Sequence, residues 1–166
     1  MNGPEISSLP EGMQRVAQVL RASGHAHLPQ RLDDAARTAQ QAADALGVQL
    51  GQIAKSIIFR RREDDVAVLV VTSGDRRVDE AKVQSLVGVI GRADADFVKS
   101  RTGFAIGGVA PVAHASAPVT LIDRELFRFD EIWAAAGHPH GVFRLQPADL
   151  ERLTGAPVVD VVQGGA

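Results

Sequence analysis

The chain contains no cysteine and no tyrosine, and its aromatic residues are six phenylalanines and one tryptophan. Without cysteine the protein can form no disulfide bond, no thiolate metal site and no cysteine nucleophile. Because aromatic side chains are few, the core must be built mainly from valine, leucine, isoleucine and alanine. This composition is compatible with a reducing compartment.

Long hydrophobic stretches are also missing. No run reaches the roughly 18 consecutive apolar residues that indicate a membrane-spanning helix. The first six residues have neither the basic start nor the apolar segment of a signal peptide. We therefore expect a soluble, cytoplasmic protein without a membrane partner.

The net charge of the chain is small. The formal net charge is −2 at pH 7. Proteins that hold nucleic acid mainly by neutralising its backbone are usually basic, so this mode of binding is disfavoured. Local basic clusters at 60–62, at 76–77 and at Lys99 with Arg101 could still surround one binding rim, or they could be solvated loop charge.

The length of 166 residues predicts one domain, residues 1–166, with a single core. Periodicity and capping residues predict helices over 11–22, 39–46, 80–86 and 148–153, and a short helix that begins at Asp94 or Asp96. The predicted strands are 53–59, 66–72, 89–90, 119–123, 131–136, 141–145 and 158–162. Hairpins mix with crossovers in this order. We therefore expect an α+β fold with a mixed, strongly curved sheet of about seven strands, and a doubly wound parallel fold as the second choice.

A glycine-rich stretch over residues 101–114 is not explained by core packing. Glycine lacks a Cβ and can adopt positive φ, so the main-chain N–H groups of Gly107 and Gly108 could converge on one point and hold a carbonyl or an oxyanion. A plainer interpretation is a strand over 104–106 that ends in a Gly-Gly turn.

Two further residues complete the pattern Gly107-x-x-x-Pro111-x-x-His114. Pro111 fixes φ shortly after the glycine pair, which makes the turn rigid. His114 could act on a ligand from this turn, or it could be a structural hydrogen-bond donor.

The predicted strand over 53–59 is apolar on both faces, apart from Lys55 and Ser56. Alternation places Lys55 on the face of Ile53 and Ile57. An unpaired ammonium among isoleucines is costly, so Lys55 either extends to solvent or faces a pocket that receives an anion or a carbonyl. Because Lys55 and Ser56 point to opposite faces, a Ser-Lys nucleophilic dyad is disfavoured.

Two polar residues at the ends of predicted elements are also candidates. Thr38 and Gln41 have the spacing of a capping box before the helix over 39–46, and the free N–H groups of that helix start could also meet a ligand. Asp123 ends the strand over 119–123, where it could be a turn residue.

Two histidine pairs, His25 with His27 and His138 with His140, raise the question of a metal site. No HExxH motif and no cluster of carboxylates accompanies them. We expect neither a metal nor a cofactor. The G-x-S-x-G motif of a serine hydrolase is also missing, which suits an enzyme that works by positioning its substrate.

Three segments resemble the YbaK/prolyl-tRNA-synthetase-associated editing domains, which are free-standing or appended deacylases of mischarged tRNA. These segments are residues 36–47, residues 52–59 with their Ile-x-Lys-Ser sequence, and the Gly-x-x-x-Pro-x-x-His loop at 107–114. In order and spacing the resemblance extends over roughly residues 15–162. It implies a barrel-like sheet with helices outside it.

The resemblance also implies a set of catalytic residues. The N–H groups of Gly107 and Gly108 would hold the ester carbonyl, and Lys55 would anchor the terminal adenosine or its phosphate. His114 would orient water or the 2′-hydroxyl. The expected activity is hydrolysis of a mischarged aminoacyl-tRNA, with tRNA-Pro carrying a small wrong amino acid as the expected substrate.

Four residues are implied to contact the substrate: Thr38, Ser56, Pro111 and Asp123. Ser56 and Asp123 would line the aminoacyl pocket, and Asp123 would face the substrate amine. The expected partners are the acceptor end of an aminoacyl-tRNA and a tRNA synthetase that could deliver it. The alternative is a non-catalytic module that uses the same pocket to bind or sense an aminoacyl or adenosine end.

Overall fold

The structure of the protein is a computed structural model that describes residues 6–32 and 38–164. Two parts of the sequence analysis lie outside those residues: most of the chain start that was tested for a signal peptide, and residues 36–37 of the first resembling segment. Within the described residues, no helix combines the length and the apolar character that crossing a bilayer requires.

Five α-helices occur in the described residues: α1 (Glu11–Ala22), α2 (Ala39–Leu46), α3 (Glu80–Val87), α4 (Ala95–Thr102) and α5 (Pro147–Thr154). Eight strands form one sheet: β1 (Gln30–Arg31), β2 (Ile53–Arg61), β3 (Ala67–Ser73), β4 (Ile90–Arg92), β5 (Val119–Asp123), β6 (Ile132–Ala135), β7 (Gly141–Leu145) and β8 (Val158–Val159). Short 3-10 helices occupy Leu50–Gln52 and Arg124–Arg128.

The sheet is mixed, in the order β1-β7-β6-β2-β3-β5-β8, with β4 beside β2. The pairs β2/β3 and β6/β7 are antiparallel, whereas β2/β6, β3/β5 and β5/β8 are parallel. The predicted α+β fold with a mixed curved sheet is confirmed. The second choice, a doubly wound parallel sheet, is wrong because short hairpins reverse the chain at β2/β3 and β6/β7.

The helix predictions are confirmed most closely where capping chemistry fixes the ends. The Thr38 hydroxyl accepts from the Gln41 N–H, and the Gln41 side chain accepts from the Thr38 N–H, which closes the predicted capping box of α2. Gly47 ends this helix with φ 70°, a left-handed conformation that favours glycine. Asp94 is the N-cap of α4, which decides between the two predicted starts.

Two strand predictions need correction. Residues 104–106 form no strand. Phe104 is instead buried in the core, while Ile106 is exposed on a loop. The Phe104 side chain anchors this stretch, and no ladder of strand hydrogen bonds does so. The last predicted strand, 158–162, is shorter: only Val158–Val159 pairs with β5, and Val162 makes an isolated bridge to Val78.

Strand β3 is buried on both faces, which makes it the centre of the fold. Leu69 and Val71 pack in the largest core region, with α1, α5 and the residues after α4. Val68 and Val70 pack on the opposite face, against α3. A third, smaller region joins α2 to β6, and its central residue is Trp133. Strand β2 lies between these layers and carries the polar residues discussed next.

Candidate active site between strand β2 and the glycine loop

Strand β2 has a gap along one of its edges. On that edge β6 pairs only with Ile53 and Ala54, and β4 pairs only with Phe59–Arg61. The other edge of β2 is paired with β3 from Ala54 to Arg60. Residues 55–58 therefore have a strand neighbour on one side only, and the gap on the other side is where the candidate site lies.

The pairing register directs the main chain of Ser56 into this gap. The Arg61 N–H donates to the Val66 carbonyl, so every second residue back to Lys55 directs its main-chain groups toward β3. Ser56 therefore directs its N–H and C=O to the opposite edge. The ladder with β6 ends before Ser56, so β6 supplies no acceptor for that N–H.

A cavity of about 350 Å³ opens at the gap. Its walls are mostly apolar and include Leu32, Ile53, Ile106, Val109, Trp133 and Val142. Two buried polar atoms of its wall residues have no hydrogen-bond partner: Ser56 Oγ and Trp133 Nε1. Over residues 6–32 and 38–164, no carboxylate and no imidazole lines the cavity. Its polar character therefore comes from Lys55, two hydroxyl groups, an indole N–H and the main chain.

Lys55 lines this cavity, and it also lines a second groove beside Arg76 and Arg77. Its Nζ donates to the Arg76 carbonyl at 3.1 Å. Partial burial lowers the pKa of the Lys55 ammonium from its usual 10.5, the nearby Arg77 lowers it further, and Asp75 partly opposes both. No ion pair with a carboxylate involves Lys55 in the part of the chain that the structure describes. Its positive charge is therefore available to attract an anionic ligand.

The glycine loop, residues 103–114, forms the opposite wall. The Ala115 N–H donates to the Thr102 carbonyl at 3.0 Å and closes the base of the loop. Ile106 and Gly107 lie at its exposed tip and line the cavity. Gly107 has φ 91°, which requires glycine, and no heavy atom lies within 4 Å of the position where a Cβ would be. Among the described residues, none accepts a hydrogen bond from the Gly107 N–H.

Gly108 departs from the prediction of two convergent donors. Its N–H donates to the Ala105 carbonyl at 3.0 Å, so it is not available to a ligand in this conformation. Its φ is not positive, unlike that of Gly107. The need for glycine has another cause: a Cβ at position 108 would lie 2.9 Å from the main chain of His138. Gly108 thus lets the glycine loop pack against the turn before β7.

His114 and Pro111 do not line the cavity in this structure, and their contacts with a ligand stay predictions. The His114 Nε2 contacts the Ala110 carbonyl at 2.7 Å, and because a carbonyl can only accept, Nε2 carries the proton. The ring stands edge-on to Phe104. Burial lowers the pKa of His114, and Arg15 lowers it further. Both residues shape the loop from within: Pro111 is buried, and His114 ties the loop to itself.

We expect His114→Ala to cost about 1–3 kcal/mol of stability. It should lower turnover per folded molecule far less than loss of the Gly107 N–H would, because its bond to the Ala110 carbonyl lies away from the loop tip. Because the folded-state pKa of His114 lies below 6.5, the stability that its neutral form contributes is present above pH 6.5 and is lost as pH falls through the folded-state pKa. The variant should therefore show a weaker loss of stability with acid. Urea melts between pH 5 and 8, with turnover measured on the same samples, check this. A large loss of turnover in fully folded His114→Ala would contradict the structural role.

Asp123 is also outside the cavity in this structure, and its contact with a substrate amine stays a prediction. Its side chain is fully buried. One oxygen accepts from the Glu125 N–H at 2.9 Å, and the other accepts from the Val161 N–H at 3.0 Å. Asp123 therefore caps the 3-10 helix that follows β5 and holds the C-terminal segment, which extends the turn interpretation that its position at a strand end allowed.

Thr38 lies at the mouth of the cavity, together with Ala39 and Ala42 of α2. Its hydroxyl is already engaged as the cap of the helix. A contact between Thr38 and a ligand can therefore use its O–H as a donor, its second lone pair or its methyl group. Of the eight predicted site residues, the structure brings Thr38, Lys55, Ser56 and Gly107 to one cavity.

The basic clusters divide into paired and unpaired groups. Arg60 pairs with Asp65, and Arg76 pairs with Glu125. Arg77 is exposed beside Lys55 and makes no ion pair within the described residues. The predicted common rim is thus supported only at 76–77. Neither histidine pair belongs to a set of metal ligands: no cluster of three His, Cys, Asp or Glu side chains suited to a metal occurs in residues 6–32 and 38–164.

Three residues of functional interest gave no sequence signal. Trp133 contributes the unpaired indole N–H, Ile106 places an exposed apolar side chain at the mouth of the cavity, and Arg15 binds the glycine loop from α1. The alternation of β6 and the glycines around Ile106 indicate where these residues lie. They do not reveal that Trp133 and Ile106 line one cavity or that Arg15 reaches the glycine loop.

The fold and the cavity define a small α+β domain with an apolar cavity between a sheet gap and a glycine loop. Over residues 33–153 the chain matches the aminoacyl-tRNA editing domain, and it belongs to that family.

Several known proteins are similar to this chain. The uncharacterized protein YwhH of Bacillus subtilis is 36% identical over 126 residues, which span 75% of this chain and 80% of YwhH. A proline–tRNA ligase of Desulfotalea psychrophila is 30% identical over 131 residues, which are 76% of this chain but 22% of that ligase. A solved structure proposed to be a trans-editing enzyme for prolyl-tRNA synthetase has a TM-score of 0.88 and 39% identity, and the match covers 94% of this chain and 99% of that one.

Proposed function

We propose that the protein is a trans-editing deacylase that hydrolyses the ester bond of a mischarged aminoacyl-tRNA. The observation that carries this proposal is the cavity in which Lys55, Ser56 and the tip of the glycine loop meet. Membership in the aminoacyl-tRNA editing family supports the reaction class. The similarity in fold to a protein proposed to edit for prolyl-tRNA synthetase supports tRNA-Pro as the substrate.

The available groups suit hydrolysis by positioning. An aminoacyl ester is already activated, so the enzyme needs to polarise its carbonyl, place a water molecule and exclude the correct amino acid. The Gly107 N–H is the donor for the ester carbonyl. The Ser56 N–H faces the gap without a strand partner, and the Ser56 Oγ is buried without a hydrogen-bond partner. These two groups hold the water or the substrate amine. No carboxylate or imidazole of the described residues lines the cavity, so the neutral amine of the substrate takes a proton from the attacking water. The ester bond then breaks, and the leaving ribose oxygen receives a proton.

Lys55 holds the negative charge of the nucleotide end in this proposal. Its Nζ makes one hydrogen bond to a neutral carbonyl, and the nearby cation of Arg77 repels it. A phosphate bound between the two would replace this repulsion by attraction to both groups. Lys55 lines both the cavity and the second groove, so it stands where an aminoacyl group would join its nucleotide chain.

The walls of the cavity favour a small aminoacyl group. A volume of about 350 Å³ must hold the amino acid and part of the ribose, and the walls are mostly apolar. Trp133 Nε1 can only donate, so a substrate side chain with a hydroxyl group or another acceptor would satisfy a group that is otherwise unpaired. We expect alanine or a hydroxy amino acid to be removed, and correctly attached proline to be kept.

Purified protein incubated with tRNA-Pro charged with Ala, Ser, Thr, Cys or Pro tests this function. We expect hydrolysis of at least one small wrong amino acid and little hydrolysis of Pro-tRNA-Pro. A second tRNA charged with the same amino acids gives the tRNA preference. Binding without turnover on every member of the panel would contradict the deacylase and would favour the sensing module, which the lack of an acid or a histidine at the cavity wall also allows.

Removal of metal should leave the reaction unchanged. The described residues contain no cluster suited to a metal, and the proposed mechanism assigns no step to one. We expect the same single-turnover rate before and after prolonged treatment with a chelator. If activity disappears and added zinc restores it, hydrolysis by positioning alone is wrong.

A further inference from the structure

Helix α1 lies outside the family match over residues 33–153, yet it contacts two segments beside the cavity, the turn before β7 and the glycine loop. Gly12 packs directly on the main chain of Gly137, where neither residue has room for a Cβ. Met13 packs on Gly141, which lines the cavity. One helix that the family comparison leaves out therefore supports the turn before β7, and its next residues reach the glycine loop.

Arg15 of α1 binds both ends of the glycine loop. Its guanidinium donates to the carbonyls of Gly103 at 3.2 Å, Thr102 at 3.3 Å and Ala113 at 2.6 Å. Thr102 ends helix α4 just before the loop, Gly103 begins the loop, and Ala113 is near its end. Ala113 has φ 67°, which is unusual for a residue other than glycine. A contact of 2.6 Å with its carbonyl helps to hold this conformation.

The planar part of Arg15 also packs on the loop. Its guanidinium carbon lies 4.5 Å from the centre of the Phe104 ring. A Cβ at Gly103, which has φ 81°, would lie 2.7 Å from both terminal guanidinium nitrogens. Gly103 is therefore glycine for two reasons, its backbone conformation and the approach of Arg15. The loop sequence and Arg15 fit each other, although 88 residues separate them.

We propose that Arg15 is the positioning residue of the candidate site. It joins the two ends of the glycine loop and thereby fixes the tip, Ile106 and Gly107, against the cavity. Arg15 does not line the cavity, so it acts through the loop and not on the substrate. The functional part of this inference rests on the proposed deacylation, whereas the fixing of the loop can be tested without it.

The chemistry of arginine explains why another cation would not replace it. A guanidinium offers five N–H groups in a plane, so it can reach three carbonyls and still stack on an aromatic ring. A lysine is a point donor that could reach one or two of these carbonyls without stacking. Arg15→Lys should thus keep the positive charge and lose most of the hydrogen bonds to the loop carbonyls and the stacking on Phe104.

The test compares wild-type protein with Arg15→Met, Arg15→Lys and Arg21→Met. Arg21 is an exposed arginine of the same helix and serves as the matched control. Amide exchange is followed at Gly108 and Ala115, whose N–H groups form hydrogen bonds within and at the base of the loop. Single-turnover deacylation, substrate affinity and thermal melting are measured on the same samples.

For Arg15→Met we expect exchange at these two amides to rise by at least about tenfold while exchange in β3 stays unchanged. The single-turnover rate should fall by about 10²-fold, with a much smaller change in affinity, because the loop tip is misplaced and not removed. Arg15→Lys should lie between Arg15→Met and wild type, and Arg21→Met should match wild type.

Other outcomes would overturn the inference. Unchanged loop exchange in folded Arg15→Met would show that Arg15 does not fix the loop. Faster loop exchange with an unchanged turnover rate would show that the loop position does not matter for the site. If Arg15→Met does not fold, the same comparison is made with Arg15→Lys. If wild-type protein hydrolyses no substrate, the proposed function fails, but the exchange measurements still decide whether Arg15 fixes the loop.

Discussion

Gly107→Ala should lower the single-turnover rate of deacylation by about 10²- to 10³-fold, the usual cost of misplacing one carbonyl donor. Alanine disfavours the φ of 91° at this position, so the loop tip must relax and carry its N–H away from the cavity. The added methyl group meets no atom within 4 Å. The cost in folding stability should therefore be limited to backbone strain, about 1–2 kcal/mol.

Gly108→Ala is the matched comparison, because it adds the same methyl group one residue further along. Here the Cβ would lie 2.9 Å from the His138 main chain, so the loop and the turn before β7 must separate. We expect a loss of about 1–3 kcal/mol of stability, as is usual for overpacking. The two variants should thus differ in the ratio of activity lost to stability lost.

Urea melting and single-turnover rates on one preparation of each variant measure both quantities. A normal rate in folded Gly107→Ala would mean that the Gly107 N–H does not hold the ester carbonyl, and the glycine loop would then be only a wall of the cavity. Equal losses of rate and of folded fraction in both variants would lead to the same conclusion.

Local chemistry made the helices predictable. The capping box of Thr38 and Gln41, the left-handed Gly47 and the Asp79 cap each act over three or four residues, so the sequence contains all the information needed. The same holds for the hairpin between β2 and β3, which a tight turn at Asp65 with φ 57° closes.

The gap in the sheet could not be predicted, because it depends on where other strands end. The alternation of residues 53–59 shows that Lys55 interrupts an apolar face. It does not show that β6 stops at Ala54 or that β4 starts opposite Phe59. Those two endpoints expose the main chain of Ser56. They arise from contacts between segments about 80 residues apart for β6 and about 30 residues apart for β4.

His114 and Asp123 show why site residues are harder to predict than elements. A histidine after a proline turn has the same sequence signature whether it points to a ligand or to the carbonyl of its own turn. The Ala110 carbonyl decides this case. An aspartate at a strand end is likewise ambiguous until its partners are known, and here they include Val161, which is 38 residues away. Lys55 was predictable because a buried ammonium is costly wherever the chain places it.

Lys55→Met should lower the deacylation rate by at least about tenfold, roughly 1.4 kcal/mol of lost transition-state stabilisation, without lowering the melting temperature at pH 7. The ammonium is half-buried and bound to one neutral carbonyl, so the folded state gains little from its charge. Methionine fills a similar volume among the neighbouring isoleucines and has no charge to desolvate. Loss of activity should thus accompany equal or greater stability.

The difference in stability between wild type and Lys55→Met should also depend on pH. The folded-state pKa of Lys55 lies below 10.5, so the unfolded chain binds this proton more tightly. Wild-type stability should then rise relative to Lys55→Met as pH increases through the folded-state pKa toward 10.5.

Lys82→Met is the control variant. Lys82 pairs with Asp160 and donates to the Val162 carbonyl, so Lys82→Met should lose stability and keep its deacylation rate. A Lys55→Met protein that melts cooperatively and remains fully active would remove Lys55 from the site. If it instead melts well below wild type, the lysine is a structural residue whose bond to the Arg76 carbonyl outweighs the cost of burying its charge.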